Sequence, residues 1–297
     1  MMNKLILRNS AFTLLELSVV IVVIGLVIGG VLVGQTLVRA AVVRATVTQL
    51  EKFKTAANNF YTKYYALPGD ISGASAIYYG LAPRGNYAGE GDNNGLIEGV
   101  TANTGSSNNG LAQGTGETTM FWNDLTYANG AGINLIEGTF RLASSTALPG
   151  RIYGINLNNW LPSAKLGGNN YYYIYSTNDV NYIGLSAVTQ ILSNFLYSNT
   201  TISVRIAYDI DNKIDDGQPL TGVVLARYVN GNAVLGASGV PLAGDLGNAD
   251  GGTGVNPTPS SALTCYDNGN IGGASMHYSY NVNGGSGANC ALSFVLK

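Results

Sequence analysis

From Leu17 to Val38 the chain carries no charged side chain and is almost wholly apolar. A helix over this stretch would rise about 33 Å at roughly 1.5 Å per residue, enough to cross a hydrocarbon layer of ~30 Å. The pattern then changes. Val43, Val47, Leu50, Phe53, Ala57, Phe60 and Tyr64 recur three and four residues apart, which is one apolar face of a helix that continues the span as an amphipathic stalk. Leu67-Pro68-Gly69-Asp70 ends it, because proline pushes the preceding residue out of helical geometry and Gly69 favours a turn.

Beyond Leu67 the periods are short and the punctuation is frequent. Thr118 to Ala128, with Phe121, Trp122 and Leu125, predicts a short helix stopped by Gly130. Tyr171 to Tyr175 predicts a strand, and Ile202, Val204, Ile206, Tyr208 and Ile210 alternate with mostly polar residues, predicting another. Leu220 to Val229 is expected to follow as a strand, and Met276–Val282 with Cys290–Leu296 as a closing hairpin across a Gly-rich turn. The Gly/Asn-rich stretch 244–259 is expected to be an exposed loop. The expected fold class is α+β: a long N-terminal helix, then a loop-rich, β-containing globular head.

A hydrophobic content of 46% argues against disorder. Only 11% of residues are charged, glycine numbers 40, and 19 tyrosines outnumber 7 phenylalanines, which suits a turn-rich extracellular β surface. The net charge of −2 supplies no basic face for a phosphate backbone, so no nucleic-acid partner is expected. Cys265 and Cys290 either form one disulfide in an oxidising compartment or remain two buried thiols. His277 is the only histidine, with no flagged nucleophile beside it, so neither a nucleophilic triad nor a four-ligand zinc site is expected, and the chain reads as a non-enzyme.

Calcium is the one cofactor with a candidate pattern. Glu90, Asp92, Asn94 and Glu98 place oxygen ligands around Gly95 as the first half of an EF-hand loop does, but the twelfth position is Thr101, not a bidentate glutamate. A solvated acidic turn is the alternative. Asp209, Asp211, Asp215 and Asp216 form a second acidic cluster without a ligand spacing of that kind.

The N-terminus is more specific. Residues 1–11 form a short polar leader with Lys4 and Arg8, followed by Ala11-Phe12-Thr13-Leu14-Leu15-Glu16-Leu17 and the apolar run. This stretch resembles the prepilin cleavage and methylation motif of type IV pilins and type II secretion pseudopilins, with Ala11 where the family usually has glycine. The resemblance implies that a prepilin peptidase cuts between Ala11 and Phe12 and methylates the new amino group. The helix 12–66 is then retained, with its membrane span at about 17–38 and its stalk at 39–66, and 67–297 forms an extracytoplasmic head.

In such a filament subunit Glu16 would pair with the Phe12 ammonium of a neighbouring copy and set the register of assembly. A lone carboxylate in a bilayer costs about 2 to 3 kcal/mol without a partner, which fits that role. Glu16 could also simply sit at a helix N-terminus near the membrane surface, where its charge is favourable. Gly25 with Gly29, and Gly30 with Gly34, give small-xxx-small spacings that let helices approach closely in lipid.

The implied partners are the peptidase, other copies of this chain and other pilins or pseudopilins, the inner-membrane assembly platform and membrane lipid. The implied localisation is a single-pass precursor in a bacterial inner membrane with its head in the periplasm, then a periplasmic pseudopilus or a surface pilus. Charge does not fix this orientation, since Arg39, Arg44, Lys52 and Lys54 follow the span as Lys4 and Arg8 precede it. Two other functions stay open. One is a membrane-anchored binding or adhesion protein with a Tyr- and Asn-rich head, as a minor or tip subunit or without polymerising. The other is a freely secreted protein cleaved after Ala40, where Val38-Arg39-Ala40 loosely satisfies the small-residue rule.

Overall fold

In this computed structural model the described residues are 13–85, 89–100, 108–126, 134–141, 151–192, 194–230, 264–267, 276–279 and 285–296. The chain divides into two units, Met1–Val42 and Val43–Lys297. Helix α1, Leu14–Tyr64, is 51 residues long and starts in the first unit and ends in the second. Among the described residues it is the one helix long and apolar enough to cross a membrane.

In the first unit α1 has no core to face. Its large apolar side chains from Leu14 to Val38 are all exposed, with Leu14 at 88% and Val38 at 65%. In the second unit the same helix becomes one-sided. Val43, Thr46, Leu50, Phe53, Ala57, Phe60 and Tyr64 are buried at three- and four-residue spacings, as the amphipathic pattern requires.

The head is built on a six-stranded antiparallel sheet. Its longest strand, β5 (Val180–Leu192), pairs along much of its length with β4 (Asn170–Thr177) on one side. A two-residue turn joins them, with φ of 50° at Asn178 and 59° at Asp179; this left-handed pair matches the strand twist, and Asn and Asp tolerate it. Strand β10 (Leu292–Val295) pairs β5 over Tyr182–Leu185, while β3 (Ile152–Tyr153) and β6 (Phe195–Asn199) pair its far end. Strand β7 (Val224–Leu225) lies beyond β10.

The register sets up rows of core residues. Tyr172, Leu185 and Leu292 stand side by side, as do Ile174, Ile183 and Phe294, and all six are fully buried. Phe53 of α1 packs edge-on against Tyr172, with ring centroids 5.1 Å apart, and the Tyr172 hydroxyl donates to the Thr46 carbonyl at 3.2 Å. The opposite face is also covered, since Tyr173 and Tyr175 are fully buried too. Tyr173 lies across its register partner Gly184, where a Cβ would come within 2.2 Å of the ring. A side chain at 184 would displace that tyrosine.

Helix α3, here Gly116–Leu125, is buried throughout and sets Trp122 edge-on against Phe53, with ring centroids 5.2 Å apart. The expected stop at Gly130 lies outside the described residues. Gly69 approaches α3 so closely that a Cβ would meet the Glu117 carbonyl oxygen at 2.5 Å, at a φ of +87°. Arg84 Nη2 lies 2.8 and 2.6 Å from the carboxylate oxygens of Asp124, both side chains buried, and the Gly69 amide donates to Asp124 at 2.7 Å. Thus a buried, hydrogen-bonded ion pair locks the turn that follows α1 onto α3.

Three expectations are corrected. The alternating stretch 202–210 is not a strand: Val204–Ile214 is a helix (α4), started by Ser203, whose hydroxyl accepts from the Ile206 amide at 3.3 Å. Its buried face is Val204, Ala207, Ile210 and Asp211, a helical spacing, while Ile206 and Tyr208 are only partly buried. The N-cap decides between two periods that the apolar residues alone satisfy equally. The expected strand 220–229 reduces to β7. Among the described residues the expected closing hairpin does not form either, with 280–282 lying outside them. Strands β8 (Tyr266–Asp267) and β9 (His277–Tyr278) pair with each other, and β10 joins the main sheet. Cys265 and Cys290 form a disulfide with Cα atoms 5.0 Å apart, tying the β8–β9 ladder to the segment that leads into β10. The described residues also include two short elements, α2 (Gly73–Tyr78) and the β1–β2 pair (Gly99–Val100 with Asn108–Asn109).

Candidate functional site

Ala11 and Phe12 lie outside the described residues. Thr13 is the N-cap of α1. Its carbonyl accepts the first helical bond from the Leu17 amide at 3.2 Å, and its hydroxyl accepts from the Glu16 amide at 3.3 Å. Glu16 reaches back, its Oε2 accepting from the Thr13 amide and hydroxyl at 2.9 Å each. This reciprocal capping box satisfies helix-end amides that would otherwise lack partners. Glu16 therefore has a structural task within its own chain, and both of these bonds fall on one carboxylate oxygen. A Cβ built at Gly25, Gly29, Gly30 or Gly34 would meet nothing within 4 Å, so the chain itself gives no reason for those glycines.

In the head, the structure gathers a different acidic set from the one the EF-hand spacing predicts. Asp70, Asp92 and Glu117 each offer a carboxylate oxygen within 4.8 Å of the others; of the four predicted residues only Asp92 belongs to this set. Asn94 and Glu98 instead join side chain to side chain at 3.3 Å, and the Asn94 side-chain Oδ1 accepts from the Leu96 amide at 2.7 Å. Glu90 is buried. The loop is organised around Glu117, whose carboxylate accepts from the amides of Gly91 and Glu98 at 2.9 Å, and around Asp70, which accepts from those of Asn94 and Gly95 at 3.1 and 2.9 Å.

Burial pushes the Glu117 carboxyl up to about 9, and the nearby Asp70 charge adds to this. Burial likewise pushes Asp70 up to about 7, although its backbone bonds pull the other way. A divalent cation placed among three such carboxylates would reverse that balance by favouring their charged forms. Asp70 and Glu117 escape the sequence pattern because they come from other segments, the turn after α1 and the first turn of α3. Only an acidic residue directly after Pro68-Gly69 hints at Asp70.

The second acidic cluster forms a turn after α4, not between strands. Carboxylate oxygens of Asp211, Asp215 and Asp216 lie within 4.8 Å of one another, while Asp209 pairs with Arg205 at 3.2 Å. Asp211 accepts from the Tyr278 hydroxyl at 2.8 Å and the Gly217 amide at 3.1 Å, and Asp216 accepts from the Thr221 hydroxyl at 2.6 Å. These bonds close the end of α4 and join it to β9. His277 is exposed on β9.

Comparison with protein-family models, with curated proteins and with solved structures finds no match to this chain.

Proposed function

We propose that the chain is a structural subunit of a type IV pilus-like or type II secretion pseudopilus filament, processed and N-methylated by a prepilin peptidase. The observation that carries this reading is the division of α1. One continuous helix leaves its apolar first half wholly exposed, with Glu16 as the only acidic group there, and buries one face of its second half in the head. Such a first half requires an apolar surrounding, which lipid supplies to a single-pass precursor and neighbouring helices supply to a filament. The glycines that meet nothing in their own chain would let those neighbours approach.

In this reading the head lies in the periplasm and cleavage falls between Ala11 and Phe12. Glu16 keeps its capping box and in addition neutralises the Phe12 ammonium of an adjacent copy. The partners are the peptidase, other copies and related subunits, and the inner-membrane assembly platform. No catalytic step is assigned to the chain. Calcium enters the proposal as a ligand of the head, supported by the convergence of Asp70, Asp92 and Glu117. The test is assembly: expressed with its own peptidase and platform, the chain should be recovered in sheared surface or periplasmic filaments and label along them. A processed chain that stays monomeric in the membrane under those conditions contradicts the proposal.

A further inference from the structure

A cleft of about 420 Å³ opens in the head where α1 ends, within the ~300–1,000 Å³ span of small-molecule sites. Three separate segments wall it: Tyr61, Tyr65 and Asp70 from the end of α1 and the turn after it, Asn93 from the acidic loop, and Asp179 and Asn181 from the β4–β5 turn and the strand after it; the Asp70 carboxylate is already engaged by the Asn94 and Gly95 amides. No lysine or arginine lines it, so it has nothing to hold an anion.

Its frame is fixed. Asn181 accepts from the Ile97 amide and donates to the Gly95 carbonyl, both at 2.8 Å, and the Asp70 carbonyl accepts from the Asn93 amide at 2.9 Å. The groups at its rim are uncommitted: the side chains of Tyr65, Asn93 and Asp179, all three exposed, make no hydrogen bond to any described residue. Tyr65 is 79% exposed.

The backbone is left-handed at these three positions, at Asp179 as part of the β4–β5 turn. Tyr65, Asn93 and Asp179 all have left-handed φ, at 55°, 59° and 59°. Asn and Asp tolerate this region, but a tyrosine does not, and the position just past a helix normally takes glycine. The Tyr65 amide donates to the Tyr61 carbonyl at 2.8 Å, so the left-handed conformation ends α1; what helix termination leaves open is why the residue there is tyrosine and not glycine.

We infer that this cleft binds a neutral carbohydrate. Aromatic faces at Tyr61 and Tyr65 suit the apolar C–H face of a sugar ring, and a carboxylate and an amide suit its hydroxyls as acceptor and as mixed donor and acceptor. A pre-set frame reduces the ordering cost of binding such a ligand. The inference is independent of whether the chain polymerises.

The full chain, held in a detergent without a sugar headgroup, is titrated with cellotetraose, maltotetraose and chitotetraose and followed by saturation-transfer NMR, with spermidine as a cationic control. At least one saccharide is expected to bind. Tyr65→Gly should weaken it by about tenfold while leaving the melting temperature equal or higher, since it relieves the left-handed strain. Tyr65→Phe should bind as the parent does, and Asp179→Ala should bind more weakly. Absence of saccharide binding, saccharide binding that survives the Tyr65→Gly/Asp179→Ala double substitution, or spermidine binding in place of saccharide would each overturn the inference.

Discussion

Glu16 and Glu117 show how the same side chain is used in the two units. At Glu16 the carboxylate completes a capping box with Thr13, and glutamine can complete the same box. Glu16→Gln should therefore leave helix initiation, insertion and cleavage intact, and quantitative filament counts should fall sharply if the charge pairs with a neighbouring Phe12. Wild-type filament abundance would remove the ion-pair mechanism. Glu117, by contrast, is fully buried, and its carboxyl is pushed up to about 9, with Asp70 at about 7. Both values lie above those of an unfolded chain, so the folded head holds more protons and its stability falls as pH rises from about 4 through 9. Melts in chelator should show a lower melting temperature at pH 9 than at pH 5, with a shallower slope in Glu117→Gln; a flat wild-type profile contradicts this. Calcium at pH 8 should raise the melting temperature, and an unchanged value would take calcium out of the account.

Elements were legible where one period dominated. The switch of α1 from apolar all round to one-sided at Val43 follows from spacing, and the tyrosine strand β4 from a run of aromatic residues that favour strands. The α4 segment was misleading because Ile202, Val204, Ile206, Tyr208 and Ile210 also fit a strand, and the deciding signal was the N-cap Ser203. The longest strand, β5, was not anticipated, since burial on both faces removes the polar alternation that marks a half-exposed strand. The acidic site was half legible for a related reason: Asp92 belongs to a readable loop, but Asp70 and Glu117 reach it only through tertiary contact. The Cys265–Cys290 bond closes a separation of 25 residues and should stabilise the head by roughly 3 kcal/mol in the chain-entropy model. A Cys265→Ser/Cys290→Ser variant should then melt roughly 6–12 °C lower. Equal melting temperatures would leave the disulfide without a stabilising role.

For the whole molecule the decisive fact is that one helix serves two environments. The head has a core of its own, built from the second half of α1 and the sheet, whereas the exposed side chains of Leu14 to Val38 have none. An apolar surface of that extent is not left in water by a stable protein, so the account stands on that half of α1 being kept in the mature chain and covered by lipid or by other copies. Intact-mass and N-terminal peptide mass spectrometry of the mature protein test this directly. The account predicts a chain that begins at N-methylated Phe12 and contains the whole of α1; a mature chain that begins at Ala41 would contradict it.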